Sequence, residues 1–294
     1  MVGTPESVAV LGLGAMGRGM AHSALRAGIP TIVWNRNRAA TRELADAGAE
    51  VADSAADAAL RAGIVVTMVT DAEAVLSIAR EQGVLAALRP DAIWVQMSTI
   101  GVEGTDKLAD LVRTQRRDVT FLDAPVSGSR DPAERGELTI FASGPQEVRP
   151  RVTPLFNALG QRTIWVGPVG SGSRLKVVNN TWLAFASEAL VSSMAVARRL
   201  GLPTETVVNA FSGSVITSPW QEAKLPRVAK GEYSPQFSLS LALKDVGLAL
   251  QVTDDDQFVA LSGLAEEWQR ALAKGLGDED LTVVARTLEP QTTR

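Results

Sequence analysis

No cysteine occurs anywhere in the 294 residues, and histidine and tyrosine appear once each, as His22 and Tyr233. Without thiols there is no disulfide framework, no thiolate nucleophile and no thiolate metal site. One histidine leaves Ser-His-Asp hydrolysis, histidine-based hydroxyacid dehydrogenation and His-ligated zinc chemistry without their central residue. His22 falls inside the first expected helix, whose phosphate-facing groups stand at its N-terminus, so it reads as a partly exposed helix residue. Lys, Asp, Glu and Tyr233 remain as proton carriers, and no metal site is expected.

A basic block is also missing. The 29 Lys and Arg are offset by 33 Asp and Glu for a net charge of -4, with no clustering of the kind that neutralises phosphates, so a nucleic-acid partner is not expected. No apolar run approaches the ~18 residues of a membrane span. The start MVGTPES lacks the charged-then-apolar order of a secretory signal. A cytoplasmic protein with no membrane partner is therefore expected. Internal repeats and low-complexity segments are absent too.

What is present is a composition that builds cores, 46% hydrophobic over a length sufficient for two domains. The apolar run Val8-Ala9-Val10-Leu11 reads as a buried parallel strand, and Gly12-Leu13-Gly14-Ala15-Met16-Gly17 follows it at once. A helical stretch continues to about Ala27, with Gly28 as its stop. This is G-x-G-x-x-G between a strand and a helix: one glycine for the tight turn, one for backbone approach to a pyrophosphate, one for close helix packing. The competing interpretation, an ordinary glycine-rich turn, does not need that context.

The second strand, Thr31–Trp34, ends about 20 residues beyond the motif, where an NAD enzyme places a carboxylate for the ribose hydroxyls. Here the chain reads Asn35-Arg36-Asn37-Arg38. With no carboxylate and two guanidinium groups at the place of a 2′-phosphate, NADP is favoured over NAD. The alternative is that Arg36 and Arg38 cap a solvated loop.

Further strands are expected at 64–69, 92–97, 119–122, 138–141 and 163–166, alternating with helices. That pattern implies a doubly wound sheet with ligands at the carboxyl ends of its strands. Val69, Thr70 and Asp71, and Ser98 and Thr99, thereby become cofactor-contact candidates, although Ser, Thr and Asp are also the usual helix N-caps. The stretch Asp123-Ala124-Pro125-Val126-Ser127-Gly128-Ser129 follows another strand end. The Ser127 hydroxyl and the backbone N–H groups near Gly128 could cradle a carboxylate, or the stretch could be a proline-directed loop with a serine cap.

From about Ser171 to Leu200 the chain is apolar, Ala-rich and free of proline, with Gly201 as stop, which predicts one long buried helix. Lys176 and Asn180 lie one turn apart on it, directly after Gly170-Ser171-Gly172-Ser173. Beyond it Pro203, Pro219, Pro226 and Pro235 read as helical punctuation without strand alternation. The expected architecture is α/β: a Rossmann-like dinucleotide-binding domain over residues 1–166, a long interdomain helix, and an all-helical domain within 167–294. Asp254-Asp255-Asp256 reads as a solvated loop or cap, and Gln291–Arg294 as a frayed tail.

Four stretches in order, GLGAMGRGMA (12–21), DAPVSGSRDPAERGEL (123–138), GPVGSGSRLKVVNN (167–180) and LKDVGLAL (243–250), span nearly the whole chain. Together they resemble the β-hydroxyacid dehydrogenase family, which includes 3-hydroxyisobutyrate dehydrogenase, tartronate semialdehyde reductase and the glyoxylate/succinic semialdehyde reductases. The serine-glycine loop running on to Pro132-Ala133, and the Ser218-Pro219-Trp220 stretch, are most similar to the last branch. The resemblance implies an NADP-dependent oxidoreductase of small carboxylate substrates, with Lys176 as general acid/base and Asn180 orienting substrate or lysine. It implies that Ser127, Gly128 and Ser129 hold the substrate carboxylate and that Lys244 lines a closed cleft near substrate and cofactor. It also implies a homodimer or homotetramer formed through the helical domain. A lysine desolvated beneath a nicotinamide would have a lowered pKa and would stabilise an alkoxide. Asp131, one residue after Arg130, places an anion beside the carboxylate loop and disfavours a dianionic substrate. Helical-domain side chains such as Trp182, Phe185, Phe211 and Trp220 would set the chain length accepted. Imine reductases share the architecture and usually replace the lysine, and non-catalytic dinucleotide-binding modules lose it, so Lys176 argues against both.

Overall fold

The computed structural model describes residues 6–253 and 257–288; the expectations for Asp254-Asp255-Asp256 and for Gln291–Arg294 fall outside the described residues. The chain divides into two compact units, Met1–Lys176 and Val177–Arg294.

The first unit is built on a nine-stranded sheet. Its strands are β1 (Val8–Leu11), β2 (Thr31–Trp34), β3 (Glu50–Val51), β4 (Ile64–Thr67), β5 (Ile93–Gln96), β6 (Thr120–Asp123), β7 (Val126–Ser127), β8 (Leu138–Ser143) and β9 (Gly160–Gly167). The order runs β3-β2-β1-β4-β5-β6-β8-β7, and β9 pairs with β8. The strands from β3 to β6 are parallel, β8 runs antiparallel to both β6 and β7, and β9 is parallel to β8. All four residues of β1 are buried, and they alternate between two cores: Val8 and Val10 join Met20 and Phe156 on one face, Ala9 and Leu11 join Trp94 and Leu108 on the other. A sheet buried on both faces is what a continuous apolar run, rather than an alternating one, specifies. Trp94 is fully buried, donates Nε1–H to Thr67 Oγ1 at 3.2 Å, and meets the Phe121 ring edge-on at 5.8 Å.

Among the described residues, the helices α1 (Ala15–Arg26), α2 (Arg42–Asp46), α3 (Ala55–Arg61), α4 (Ala72–Arg80), α5 (Val84–Ala87), α6 (Gly101–Gln115), α7 (Arg130–Arg135) and α8 (Arg149–Leu159) connect these strands, and α9 (Ser171–Arg199) begins in this unit and continues into the next. α1 stops at Ala27 with Gly28 in the left-handed region, and α9 is followed by Gly201 in the same conformation, so both glycine stops stand where they were expected. Several strands differ from expectation: β3 was not expected, and β9 starts at Gly160 rather than at residue 163. The run expected to reach Val69 leaves the sheet after Thr67, and β7 forms inside the stretch read as a loop, because Val126 and Ser127 find ladder partners in Ile140 and Thr139.

The second unit is helical: the remainder of α9, then α10 (Thr204–Phe211), α11 (Pro219–Ala229), α12 (Leu239–Leu250) and α13 (Val259–Ala273), with a closing 3-10 turn over Leu281–Thr287. Ser218 and Gln221 form a reciprocal capping box at the start of α11, and Pro219 takes the first helical position, where its missing N–H costs nothing. Pro226 is a correction. It lies inside α11 rather than ending a helix. Among the described residues, no helix is long and apolar enough to cross a membrane.

Candidate active site

The glycine loop joins β1 to α1. Gly12 has φ +98°, and a Cβ there would lie 2.4 Å from the Met68 carbonyl oxygen, while one on Gly17 would lie 1.9 Å from the Gly12 carbonyl oxygen. Both positions therefore exclude any side chain. Gly14 is the opposite case, with nothing within 4 Å of its would-be Cβ. It caps α1, which has no side-chain cap and no acidic residue in its first turn, so the N–H groups of the exposed Gly14-Ala15 corner are left for an anion. An open glycine at an uncapped helix start, beside two closed ones, fits the pyrophosphate of a dinucleotide.

Around this loop the cofactor candidates separate. The Leu13 N–H donates to Asn35 Oδ1 at 2.9 Å, so Asn35 pins the loop's backbone, and Asn37 Oδ1 caps the next turn by accepting from the Ala39 N–H at 3.1 Å. Arg38, the second guanidinium at this strand end, pairs with Asp53 at 3.2 Å on the surface. Arg36 remains, exposed and without an ion pair among the described residues. At the end of β4 the Val69 N–H donates to Ser98 Oγ at 2.8 Å, tying that strand's exit to β5's. Thr70 donates to Asp71, whose other oxygen accepts from the Ala74 N–H at 2.8 Å and caps α4; the capping interpretation holds for Asp71. Thr99 precedes α6.

Ser127 closes β7, Gly128 follows with φ +136°, and Ser129 takes the N-cap position of α7 without a side-chain cap bond. Arg130 and Asp131 are both exposed in that helix's first turn. Lys176 is buried in the second turn of α9. The start of α9 docks at the carboxyl end of β6: the Ser173 N–H donates to Asp123 Oδ2 at 2.8 Å and its hydroxyl to Oδ1 at 2.7 Å. Asp123 is fully buried, and that burial pushes its pKa up against the lowering effect of the Ser173 and Ser143 donors.

In the second unit, Asn180 is buried on α9, and its Nδ2 donates to Asp245 Oδ2 at 2.5 Å while its Oδ1 accepts from Asn179 at 2.9 Å. Lys244 lies 2.7 Å from the other Asp245 oxygen. Asp245 was not singled out from the sequence, although a signal was there: it continues the buried stripe Leu239, Ala242, Val246, Ala249 of α12, where an acid needs a partner. Of the four aromatics, Trp182 and Phe185 line an apolar concavity of about 730 Å³ within this unit, whereas Trp220 lies 5.7 Å from the Lys224 ammonium and Phe211 ends α10.

Comparison with known proteins assigns the chain. Residues 7–167 match the NAD-binding domain of 6-phosphogluconate dehydrogenase, and residues 170–288 match the NAD-binding domain of NADP-dependent 3-hydroxyisobutyrate dehydrogenase. The chain belongs to the β-hydroxyacid dehydrogenase family. It is 30% identical to glyoxylate/succinic semialdehyde reductase 1 of Arabidopsis thaliana, over 96% of this chain and 98% of that one. It is 34% identical to 3-sulfolactaldehyde reductase of Escherichia coli, over 95% and 94%. Among solved structures, 3-hydroxyisobutyrate dehydrogenase of Salmonella typhimurium superposes with a TM-score of 0.86 at 28% identity, covering 96% of this chain and 99% of that one. As a family member the chain is an NAD(P)-dependent oxidoreductase of the dehydrogenase and reductase type.

Proposed function

We propose that the protein reduces a small aldehyde- or 2-oxo-acid with NADPH, and catalyses the reverse oxidation of the hydroxy acid, using Lys176 as general acid/base. The observation that carries this reading is the position of Lys176. It is a buried ammonium on the helix that docks at the carboxyl end of β6, the same edge of the parallel sheet that bears the glycine loop at β1. β1 and β6 are three strand spacings apart, about 14 Å.

A nicotinamide cofactor, when bound, supplies or accepts the hydride. Lys176 gives its proton to the carbonyl oxygen in reduction and takes the hydroxyl proton in oxidation, and its charge stabilises the developing oxyanion. Ser127, Gly128 and Ser129 hold the substrate carboxylate with a hydroxyl and backbone N–H groups. Asn180, its amide fixed by Asp245, orients substrate or lysine one helical turn from Lys176, and Lys244 contacts cofactor and substrate. Gly12 to Gly17, Asn35, Arg36, Asn37, Val69, Thr70 and Thr99 form the cofactor's bed. Arg36, without an ion pair among the described residues and standing where an NAD enzyme has a carboxylate, supports NADP over NAD.

The working protein is a homo-oligomer joined through the helical unit. Trp182 (79% exposed), Val215 and Ile216 stand out from the rim of the same apolar concavity that Val178, Phe185 and Phe258 line, so one face carries both knobs and hole.

The test is consumption of NADPH and of NADH with glyoxylate, succinic semialdehyde, tartronate semialdehyde and methylmalonate semialdehyde, beside oxidation of 3-hydroxyisobutyrate and a cyclic imine control. Turnover of at least one acid with NADPH is expected, and Lys176→Ala should lower kcat by about 10²- to 10⁴-fold with NADPH binding intact. Imine turnover with silence on every acid, or an undiminished Lys176→Ala enzyme, would overturn the proposal.

A further inference from the structure

Asp123 takes no part in the chemistry proposed above, yet it is the most heavily engaged buried carboxyl of the first unit. Its two oxygens accept from the Ser173 N–H at 2.8 Å, the Ser173 hydroxyl at 2.7 Å and, at 3.1 Å, the Ser143 hydroxyl, whose one proton is shared with the Asp123 carbonyl oxygen at 2.9 Å. Ser143 Oγ in turn accepts from the Gly172 N–H at 3.0 Å. Ser173 Oγ lies 2.8 Å from Thr105 Oγ1, which donates to the Gly101 carbonyl oxygen at 2.8 Å. Two successive N–H groups at the start of α9 are thereby fixed to strand ends, one directly and one through Ser143, and a side chain of the same turn is held as well. The approach is close enough to exclude any side chain at residue 172, where a Cβ would lie 2.2 Å from the Phe141 carbonyl oxygen and 2.8 Å from that of Asp123.

Such an anchor sets both the height and the rotation of the helix. Lys176 follows Gly172 by four residues and Ser173 by three, so it rises from the anchored face. A lysine nitrogen stands roughly 7 Å from a helix axis, so a rotation of about 10° displaces it by about 1 Å, and a displacement of that size costs on the order of 10²-fold in rate. We infer that Asp123 is a positioning residue for Lys176, aiming the ammonium by locking the phase of α9's first turns. The inference rests on the general acid/base role given to Lys176 above.

The bonding pattern also says which substitution should be tolerated. An asparagine can keep its carbonyl oxygen at the Oδ2 position for the Ser173 N–H and the Ser143 hydroxyl. Its amide then donates to Ser173 Oγ, which passes its own proton to Thr105. Alanine offers none of this.

The experiment is a cycle of Asp123→Ala, Asp123→Asn, Lys176→Ala and the double Asp123→Ala/Lys176→Ala, read by kcat and KM on the substrate found above, NADPH affinity by fluorescence, and thermal unfolding. Asp123→Ala should lower kcat by about 30- to 100-fold with KM and NADPH affinity within about 3-fold of the parent, and Asp123→Asn should restore kcat to within about 3-fold. On the Lys176→Ala background the alanine should cost less than about 3-fold, because a residue acting through the lysine has nothing left to aim. A parental kcat in Asp123→Ala, or an equal loss with and without the lysine, overturns the inference and leaves Asp123 structural. If Asp123→Ala does not fold, Ser173→Ala replaces it in the same cycle, with a loss of about 5- to 10-fold expected only while Lys176 is present. A fully active Lys176→Ala enzyme would defeat the acid/base assignment itself, whereas an inactive one beside a normal Asp123→Ala defeats only the positioning role.

Discussion

Arg36 separates a specific from a generic interpretation of the second strand's end. Its neighbours are engaged: Asn35 on the Leu13 N–H, Asn37 on the Ala39 N–H, Arg38 on Asp53. If Arg36 meets the 2′-phosphate, the lost charge-assisted hydrogen bond is worth about 1.5–3 kcal/mol, so Arg36→Ala should raise KM for NADPH by about 10- to 100-fold. KM for NADH should stay within about 2-fold, since NADH carries no 2′-phosphate. Parallel NADPH and NADH titrations decide it, and an equal loss with both cofactors would remove Arg36 from the phosphate. The same few residues show what a sequence can reveal. The glycine loop was legible because strand, turn and helix N-terminus lie within 20 residues and demand glycine locally. The Arg38–Asp53 pair and the anchor that joins Asp123 to Ser143 and Ser173, 20 and 50 residues away, are products of tertiary folding that no local pattern reports.

At the scale of elements, α9 was legible in length and boundaries because a proline-free apolar stretch of 29 residues ending before a left-handed glycine has few other solutions. α11 was less so. Its interior proline hid the fact that tertiary bonds hold it. Lys224, on its buried face, donates to Asp280 Oδ2 at 2.6 Å, and Asp280 also accepts from the Gln236 N–H at 3.1 Å and the Thr282 hydroxyl at 2.8 Å. Burial acts against both charges and pulls the Lys224 pKa down, yet Asp280 stays below the ordinary carboxylate value because the ammonium and the other donors outweigh burial. Lys224→Met leaves that carboxylate without its cation and should destabilise the chain by about 3–5 kcal/mol in chemical denaturation near neutral pH. The pH dependence has a defined sign. A depressed carboxylate contributes stability that is fully present above its unfolded value of 3.8 and is lost as pH falls through the lower folded value. The gap between parent and variant should therefore be widest above pH 3.8 and shrink below it. A gap that widened in acid would show that Asp280 is held neutral in the fold.

At the scale of the whole molecule, the helical unit gathers exposed apolar side chains around one concavity. Isolated exposed apolar residues are ordinary, but Val178, Trp182, Val215, Ile216, Val252 and Phe258 gather around one concavity. Val215 and Ile216 lie between α10 and the capping box of α11, held by backbone bonds from Thr217 to Ser214 and from Ser214 to Phe211, so their exposure is built into an ordered turn. An ordered apolar turn beside an apolar hollow is a surface that a second copy can cover about a two-fold axis, each turn entering the other's hollow. If so, light scattering after size exclusion at micromolar concentration should give a dimer or a tetramer. Ile216→Asp, which introduces a charge where the folded chain by itself has only solvent, should then produce a smaller species with the unit's fold retained, as judged by circular dichroism. Since the interface would bury at least about 1,000 Å² with Trp182 near its centre, Trp182→Ala should weaken assembly by about 2 kcal/mol or more, close to 30-fold in the dissociation constant. A parent that runs as a monomer, or an Ile216→Asp chain that keeps the parent's mass, would assign the hollow to something other than a second copy.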